Sequence, residues 1–181
     1  MTTVTEPRTS TYVLEPAHSS LEFAVKHMLI AKTKGTFHDY AVTAQIDETD
    51  FANSSATVTI KAASIDTRQP DRDAHLKSAD FLDAEKYPEL TFVTTRIEPA
   101  GGDWKVTGDL TIRGVTKPVV LEGEVTGPVK DPWGGSRIGL SISGKLNRKD
   151  FGMVWNAALD AGGFVLADDV KLNIEVELLK Q

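Results

Sequence analysis

The chain has 181 residues, 40% hydrophobic and 25% charged, with a formal net charge of −6 and a pI near 5.2. That composition suits one globular domain with a sizeable core, and its acidity argues against nucleic acid or an anionic membrane as a partner, since both select basic surfaces. There is no cysteine, which excludes disulfides and thiolate metal sites.

Residues 1–10 read as a loose N-terminal tail, followed by one domain over 11–181. MTTVTEPRTS holds no apolar run of the kind a secretory signal needs, so the expected location is cytoplasmic. No later stretch reaches the length of a membrane span. Tyr12 to Leu14 can form a first strand, which Pro16 ends. Leu21, Phe23 and Val25 then alternate with Glu22, Ala24 and Lys26, and the same parity brings His27 to the apolar face. A loop holding Lys32 and Lys34 is expected next. Gly35-Thr36-Phe37 opens a strand whose apolar set is Tyr40, Val42, Ala44 and Ile46, with Phe37 out of step and a bulge expected near His38-Asp39. Ala56, Val58, Ile60 and Ala62 alternate against Thr57, Thr59 and Lys61.

From residue 71 to 88 the alternation stops. Leu76, Ala79 and Leu82 lie three apart, on one side of a helix. Pro70 suits a first helical turn, and Asp71 and Asp73 place carboxylates near its unpaired N–H groups. Ser78 or Asp80 can cap a second short turn carrying Phe81 and Leu82, and Pro88 returns the chain to extended geometry. A short helix with an apolar underside, set among strands, is expected to close one end of a barrel.

Leu90 to Ile97 is a strand whose facing the pattern does not fix. Trp104, Val106, Gly108, Leu110 and Ile112 share one face, and after a turn at 113–117 the set continues with Val119, Leu121, Gly123 and Val125. Ile138, Leu140, Ile142, Gly144 and Leu146 alternate next, bringing Arg148 inward. Val170, Leu172, Ile174, Val176 and Leu178 form the last apolar set. The whole predicts an all-β, antiparallel barrel of about eight strands, which leaves no edge to protect.

Two readings of the lumen stay open. Gly108, Gly123 and Gly144, with Ala44, Ala56 and Ala62, fall on inward positions and could leave room for a guest. Alternatively, the glycines let coiled strands bend, with backbone or aromatic rings packed over them. Arg148 is equally two-sided. It pairs with a carboxylate such as Asp73 or Asp66, or it meets the polar head of a ligand with His27, Lys32 and Lys34.

The runs His18-Ser-Ser-Leu-Glu-Phe-Ala-Val-Lys-His27, Gly35-Thr-Phe37, Ser64-Ile-Asp-Thr67, Arg72-Asp-Ala-His-Leu-Lys-Ser-Ala-Asp-Phe81, Lys86-Tyr-Pro88, Gly108-Asp-Leu-Thr-Ile-Arg-Gly-Val-Thr116 and Asn147-Arg-Lys-Asp-Phe-Gly152 resemble the YceI family. They cover about residues 11–179 in the family's order. The resemblance implies a lipocalin-like barrel, often a homodimer, that binds a long apolar molecule such as a polyisoprenoid in its lumen. Many family members are exported to the periplasm, which sets the resemblance against the cytoplasmic expectation.

No constellation for catalysis appears. Asp71, Asp73 and His75 are spaced by two, so on a helix they point away from one another and do not converge on a metal. His18-Ser19 lacks the strand–turn–helix setting of a nucleophile, and the Gly-Gly pairs lie in turns and do not open helices. The expectation is a non-enzymatic protein with no cofactor or metal. Its lumen residues would be Phe23, Val25, His27, Val58, Ile60, Leu76, Phe81, Leu110, Leu121, Leu140 and Ile142, with Arg148, Lys32 and Lys34 as head-group candidates and a long-chain lipid as ligand.

Overall fold

In the computed structural model, which describes residues 9–181, alternating side chains build strands that wrap into a closed antiparallel barrel. β1 (Thr9–Leu14) and β2 (Ser20–His27) occupy one position of the barrel, separated by a 3₁₀ turn at Pro16–His18. β3 (Ala31–Phe37) and β4 (Tyr40–Asp47) share the next, and β5 (Ser55–Lys61) with the two-residue β6 (Ile65–Asp66) the third. The long strands β7 (Glu89–Ala100), β8 (Asp103–Ile112), β9 (Val115–Lys130), β10 (Ser136–Asn147) and β11 (Leu166–Lys180) follow in order. β11 pairs with β2 along its first part and with β1 at its end, which closes a barrel of eight positions. Among the described residues each strand therefore finds a partner and no long edge is left open.

The helix α1 (Pro70–Lys77) forms where the alternation fails. Pro70 sits in the first turn, and the Gln69 side chain accepts from Arg72 N at 2.9 Å. Asp73 accepts from the Thr67 backbone N–H and hydroxyl at 2.8 and 2.5 Å, tying the first turn of the helix back to the strand before it. Past the helix, the Ser78 hydroxyl accepts from Asp80 N. The following turn buries Phe81 and Leu82, while Ala79 points to solvent and not to the core as its spacing suggests. Arg113, in the β8–β9 turn, donates to the carbonyls of Ala79 and Phe81 at 2.6 and 3.0 Å and pins this plug to the barrel rim.

Four segments gather at the plugged end: the 28–30 turn between β2 and β3, residues 62–88 with α1, the 113–114 turn, and residues 148–165 between β10 and β11. The opposite end holds the 48–54, 101–102 and 131–135 connections. There Tyr12, with no exposed surface, donates its hydroxyl to Glu48 Oε1 at 2.6 Å, and Lys180 Nζ donates to the same oxygen at 2.7 Å. The Lys180 and Tyr12 bonds hold the Glu48 carboxyl below its ordinary pKa, and burial with the Glu48 bond pushes the Tyr12 phenol up.

Several expectations need correction. Thr9 and Ser10 belong to β1, paired with Asp47 and Ile46, so the tail does not reach residue 10; its residues 1–8 lie outside the described residues. Lys32 and Lys34 stand on strand β3 and not in a loop. No bulge forms at His38-Asp39; the chain breaks there between β3, which pairs with β2 and β6, and β4, which pairs with β1 and β5. In β7 the register slips between Thr94 and Arg96, so Leu90 and Phe92 face inward on one parity and Ile97 on the other.

Candidate ligand-binding site

Inward parity along the strands encloses an elongated apolar cavity of about 410 Å³. It extends from Ala44, Ile46 and Phe51 near the open-loop end to His27, His75 and Trp155 beneath the plug. All eleven residues expected in the lumen lie on its wall: Phe23, Val25 and His27 from β2, Val58 and Ile60 from β5, Leu76 from α1, Phe81 from the turn after it, Leu110 from β8, Leu121 from β9, and Leu140 and Ile142 from β10. Leu21, Leu172, Ile174 and Val176 belong to the same wall. They follow from the parity of β2 and β11 and could have been named from sequence. Trp155 could not, because the 152–165 segment has no period.

The inward glycines do not create this space. A Cβ on Gly108 would lie 2.4 Å from the Phe92 ring, and one on Gly144 would lie 2.6 Å from Leu121 Cδ2. At Gly123 it would strike the Ser141 carbonyl at 2.0 Å. Rings and backbone fill those positions, which is the packing alternative raised by the sequence. The lumen is walled instead by inward side chains such as Val58, Leu140, Leu172 and Val176, which keep partial exposure although they point inward.

The head-group candidates separate. Lys32 and Lys34 face outward, where they line a groove on the outer surface with Lys145 and Lys171. Arg148 is buried at 2% exposure, and its donors are spent on the loop that follows it. Nε donates to Ala167 O at 2.8 Å, Nη1 to Met153 O and Trp155 O at 2.7 Å each, and Nη2 to Leu166 O at 3.3 Å. Asp168 stands 3.8 Å away, while Asp73 bonds Thr67 and Asp66 bonds His38. Burial holds the Arg148 pKa below the ordinary arginine value, with Asp168 opposing the shift. Its side chain borders the cavity, but the guanidinium serves as a clamp on residues 153–167.

Besides Arg148, the charged or ionisable groups that reach the lumen under the plug are His27, Arg72 and His75. Arg72 Nε and one Nη donate to the Thr67 hydroxyl and carbonyl at 2.7 and 2.8 Å. His75 lies 2.9 Å from Asp80 and meets the Trp155 and Phe81 rings edge-on, with centroids 4.7 and 5.0 Å apart. These aromatic contacts join the helix to the 152–165 segment across the end of the lumen. Among the described residues no three His, Asp or Glu side chains gather as a metal-binding group.

A family model described as a YceI-like domain matches residues 12–178. Protein YceI of Escherichia coli is 42% identical over 167 residues, which is 92% of this chain and 84% of that protein. Among solved structures, BcnA of Burkholderia cenocepacia superposes with a TM-score of 0.79 at 26% identity, covering 91% of this chain and 98% of that one. A polyisoprenoid-binding domain from Saccharophagus degradans shares the fold, with a TM-score of 0.63 at 15% identity, covering 96% and 100%.

Proposed function

The chain belongs to the YceI family, and from that premise we propose that it binds a long-chain amphipathic lipid in the barrel lumen, without chemistry, for storage or transport. The observation that carries this is the cavity itself: about 410 Å³, elongated, and walled almost throughout by aliphatic and aromatic side chains. Such a site gains affinity from many weak contacts along an alkyl or prenyl chain and needs few polar ones, since each buried CH₂ contributes about 0.8 kcal/mol. A polyisoprenoid, the ligand class for which the Saccharophagus domain is described, is of this kind, and a prenyl chain is the leading class in this reading. The polar end of the ligand belongs under the plug, where His27, Arg72 and His75 meet the lumen; the opposite end, at Ala44 and Ile46, offers only the uncharged Ser54, Ser55 and Thr94 among its polar lining.

Native mass spectrometry on gently purified protein tests the proposal. The expected result is an added mass released by organic solvent and identified as a lipid. A clean protein mass after mild lysis, with no mass gained on incubation with prenyl alcohols or fatty acids, would sink it.

A further inference from the structure

The turn joining β2 to β3 is an exposed apolar tip. Met28 is 42% exposed, Leu29 68% and Ile30 87%. Met28 and Leu29 hold φ of 52° and 63°, a region that favours glycine and asparagine, so bulky apolar side chains stand where backbone preference opposes them. The tip is held in place by Met28 N donating to Val165 O at 2.7 Å. Leu29 Cδ1 lies 3.5 Å from where a Cβ on Gly163 would stand, which puts the tip near Gly163 and its neighbour Phe164, itself 58% exposed. Two chain segments thus contribute to one apolar end surface.

Directly behind it stand lysines. Lys26 and Lys32 are cross-strand partners on the outward face of the hairpin, Lys34 is opposite Ala24, and Lys171 is the other neighbour of Ala24, on β11. None of the four belongs to an ion pair among the described residues, whereas nearby Asp168 and Asp169 are engaged by Lys149 and Lys145. Glu22, on β2, and Asp160, in the turn beside Phe164, are set against them; elsewhere on the same end the plug and the 148–165 segment carry Asp71, Asp80, Glu85 and Asp150, with Lys77 and Lys86 among them.

We propose that this end of the barrel docks on an anionic lipid bilayer, with Leu29, Ile30 and Phe164 entering the headgroup–acyl boundary and the lysines meeting phosphate groups around them. The net charge of −6 opposes approach from afar. At physiological salt, however, electrostatic reach is about 8 Å, so the charges beside the tip outweigh those on the far barrel wall. Each lysine near an anionic surface strengthens binding about fivefold, and the apolar tip supplies the second anchor that stable attachment needs. A second copy of the chain fits this surface less well, because a self-complementary contact would set the lysines against their own kind. The docked end is also where His27, His75 and Trp155 close the lumen, so docking brings the plugged end of the cavity to the bilayer. The outer surface acts here whether or not the lumen is occupied.

The cysteine-free chain allows a direct test. Ile30→Cys and, at the opposite end, Trp133→Cys each take one environment-sensitive fluorophore. Both are mixed with phosphatidylcholine vesicles with or without about one-third phosphatidylglycerol. The label at position 30 is expected to shift to the blue with anionic vesicles and to lose the shift at about 0.5 M salt, while the label at 133 stays in water. In co-sedimentation, Leu29→Ser with Ile30→Ser, or Lys26→Gln with Lys32→Gln and Lys34→Gln, is expected to weaken binding at least about tenfold, with melting temperatures within a few degrees of the parent. The Val58→Phe, Val176→Phe variant, designed to fill the lumen, is expected to sediment like the parent. No binding to anionic vesicles at low salt, equal binding by the variants, or a blue shift without vesicles that accompanies dimer formation would overturn the proposal.

Discussion

Replacing Arg148 by methionine is expected to lower stability by about 3–5 kcal/mol, the range for removing one side of a buried charged network. The reason is not the loss of a positive charge but the loss of four donated hydrogen bonds. The carbonyls of Met153, Trp155, Leu166 and Ala167 converge on one guanidinium, and methionine keeps the length while removing all four bonds; Leu166 O retains the Asn156 amide at 2.7 Å, and the other three carbonyls lose their arginine donor. For a domain of this size the melting temperature should fall by about 10 °C. Hydrogen exchange should rise first at residues 153–168, the segment the arginine holds against the barrel. Arg148→Lys should recover little, because an ammonium cannot reach carbonyls on several sides as the planar fork does. An unchanged melting temperature with a selective loss of affinity for a prenyl phosphate over the matching alcohol would return Arg148 to the role of head-group contact.

Filling the lumen is expected to act on the ligand and leave the fold intact. Val58 and Val176 are cavity-lining, only partly buried and on inward parity, so Phe at both positions projects into the space the ligand chain would take. Displacing about four methylenes of ligand removes about 3 kcal/mol, or about 100-fold in affinity. The melting temperature of the ligand-free protein should hold or rise, because the new rings occupy volume that lacked packing partners. Placing leucine at Gly108 and Gly123 would not make this test. The ring of Phe92 and the carbonyl of Ser141 already occupy those directions, and such a variant would fail in folding. Parent-like affinity in the Val58→Phe, Val176→Phe protein would place the ligand outside the lumen.

The limits of the sequence reading have specific physical causes. The alternation in β2, β8, β9, β10 and β11 agrees with the parity of the side chains that line the cavity, because a half-buried strand repeats every two residues. The start of β3 at residues 31–34 reads as a loop, and only Gly35-Thr36-Phe37 as strand, because the inward positions before Phe37 are Thr33 and Gly35, which carry no hydrophobic signal. Gly35 is small because the Phe23 ring lies where its Cβ would be, at 2.3 Å, so the apolar content of that patch is written in the neighbouring strand. β7 could not be assigned a face because its bulge reverses the parity partway along. Arg148 was legible as inward and in need of partners. That those partners are backbone carbonyls of an aperiodic loop was not, since a carbonyl has no sequence signature. Net charge averages over the whole surface and so hides that Lys26, Lys32, Lys34 and Lys171 are gathered at one side of the barrel.

The measurement that bears most directly on lumen binding is calorimetric titration of delipidated protein with a homologous series of uncharged alkyl and prenyl alcohols. If the ligand chain lies along the apolar wall, affinity should rise about fourfold for each added methylene, with a negative heat-capacity change, and then level off once the chain exceeds the cavity. The Val58→Phe, Val176→Phe variant should level off at a shorter chain. Affinity that is independent of chain length, or that appears only with charged head groups, would contradict a lumen that recognises its ligand by the apolar chain.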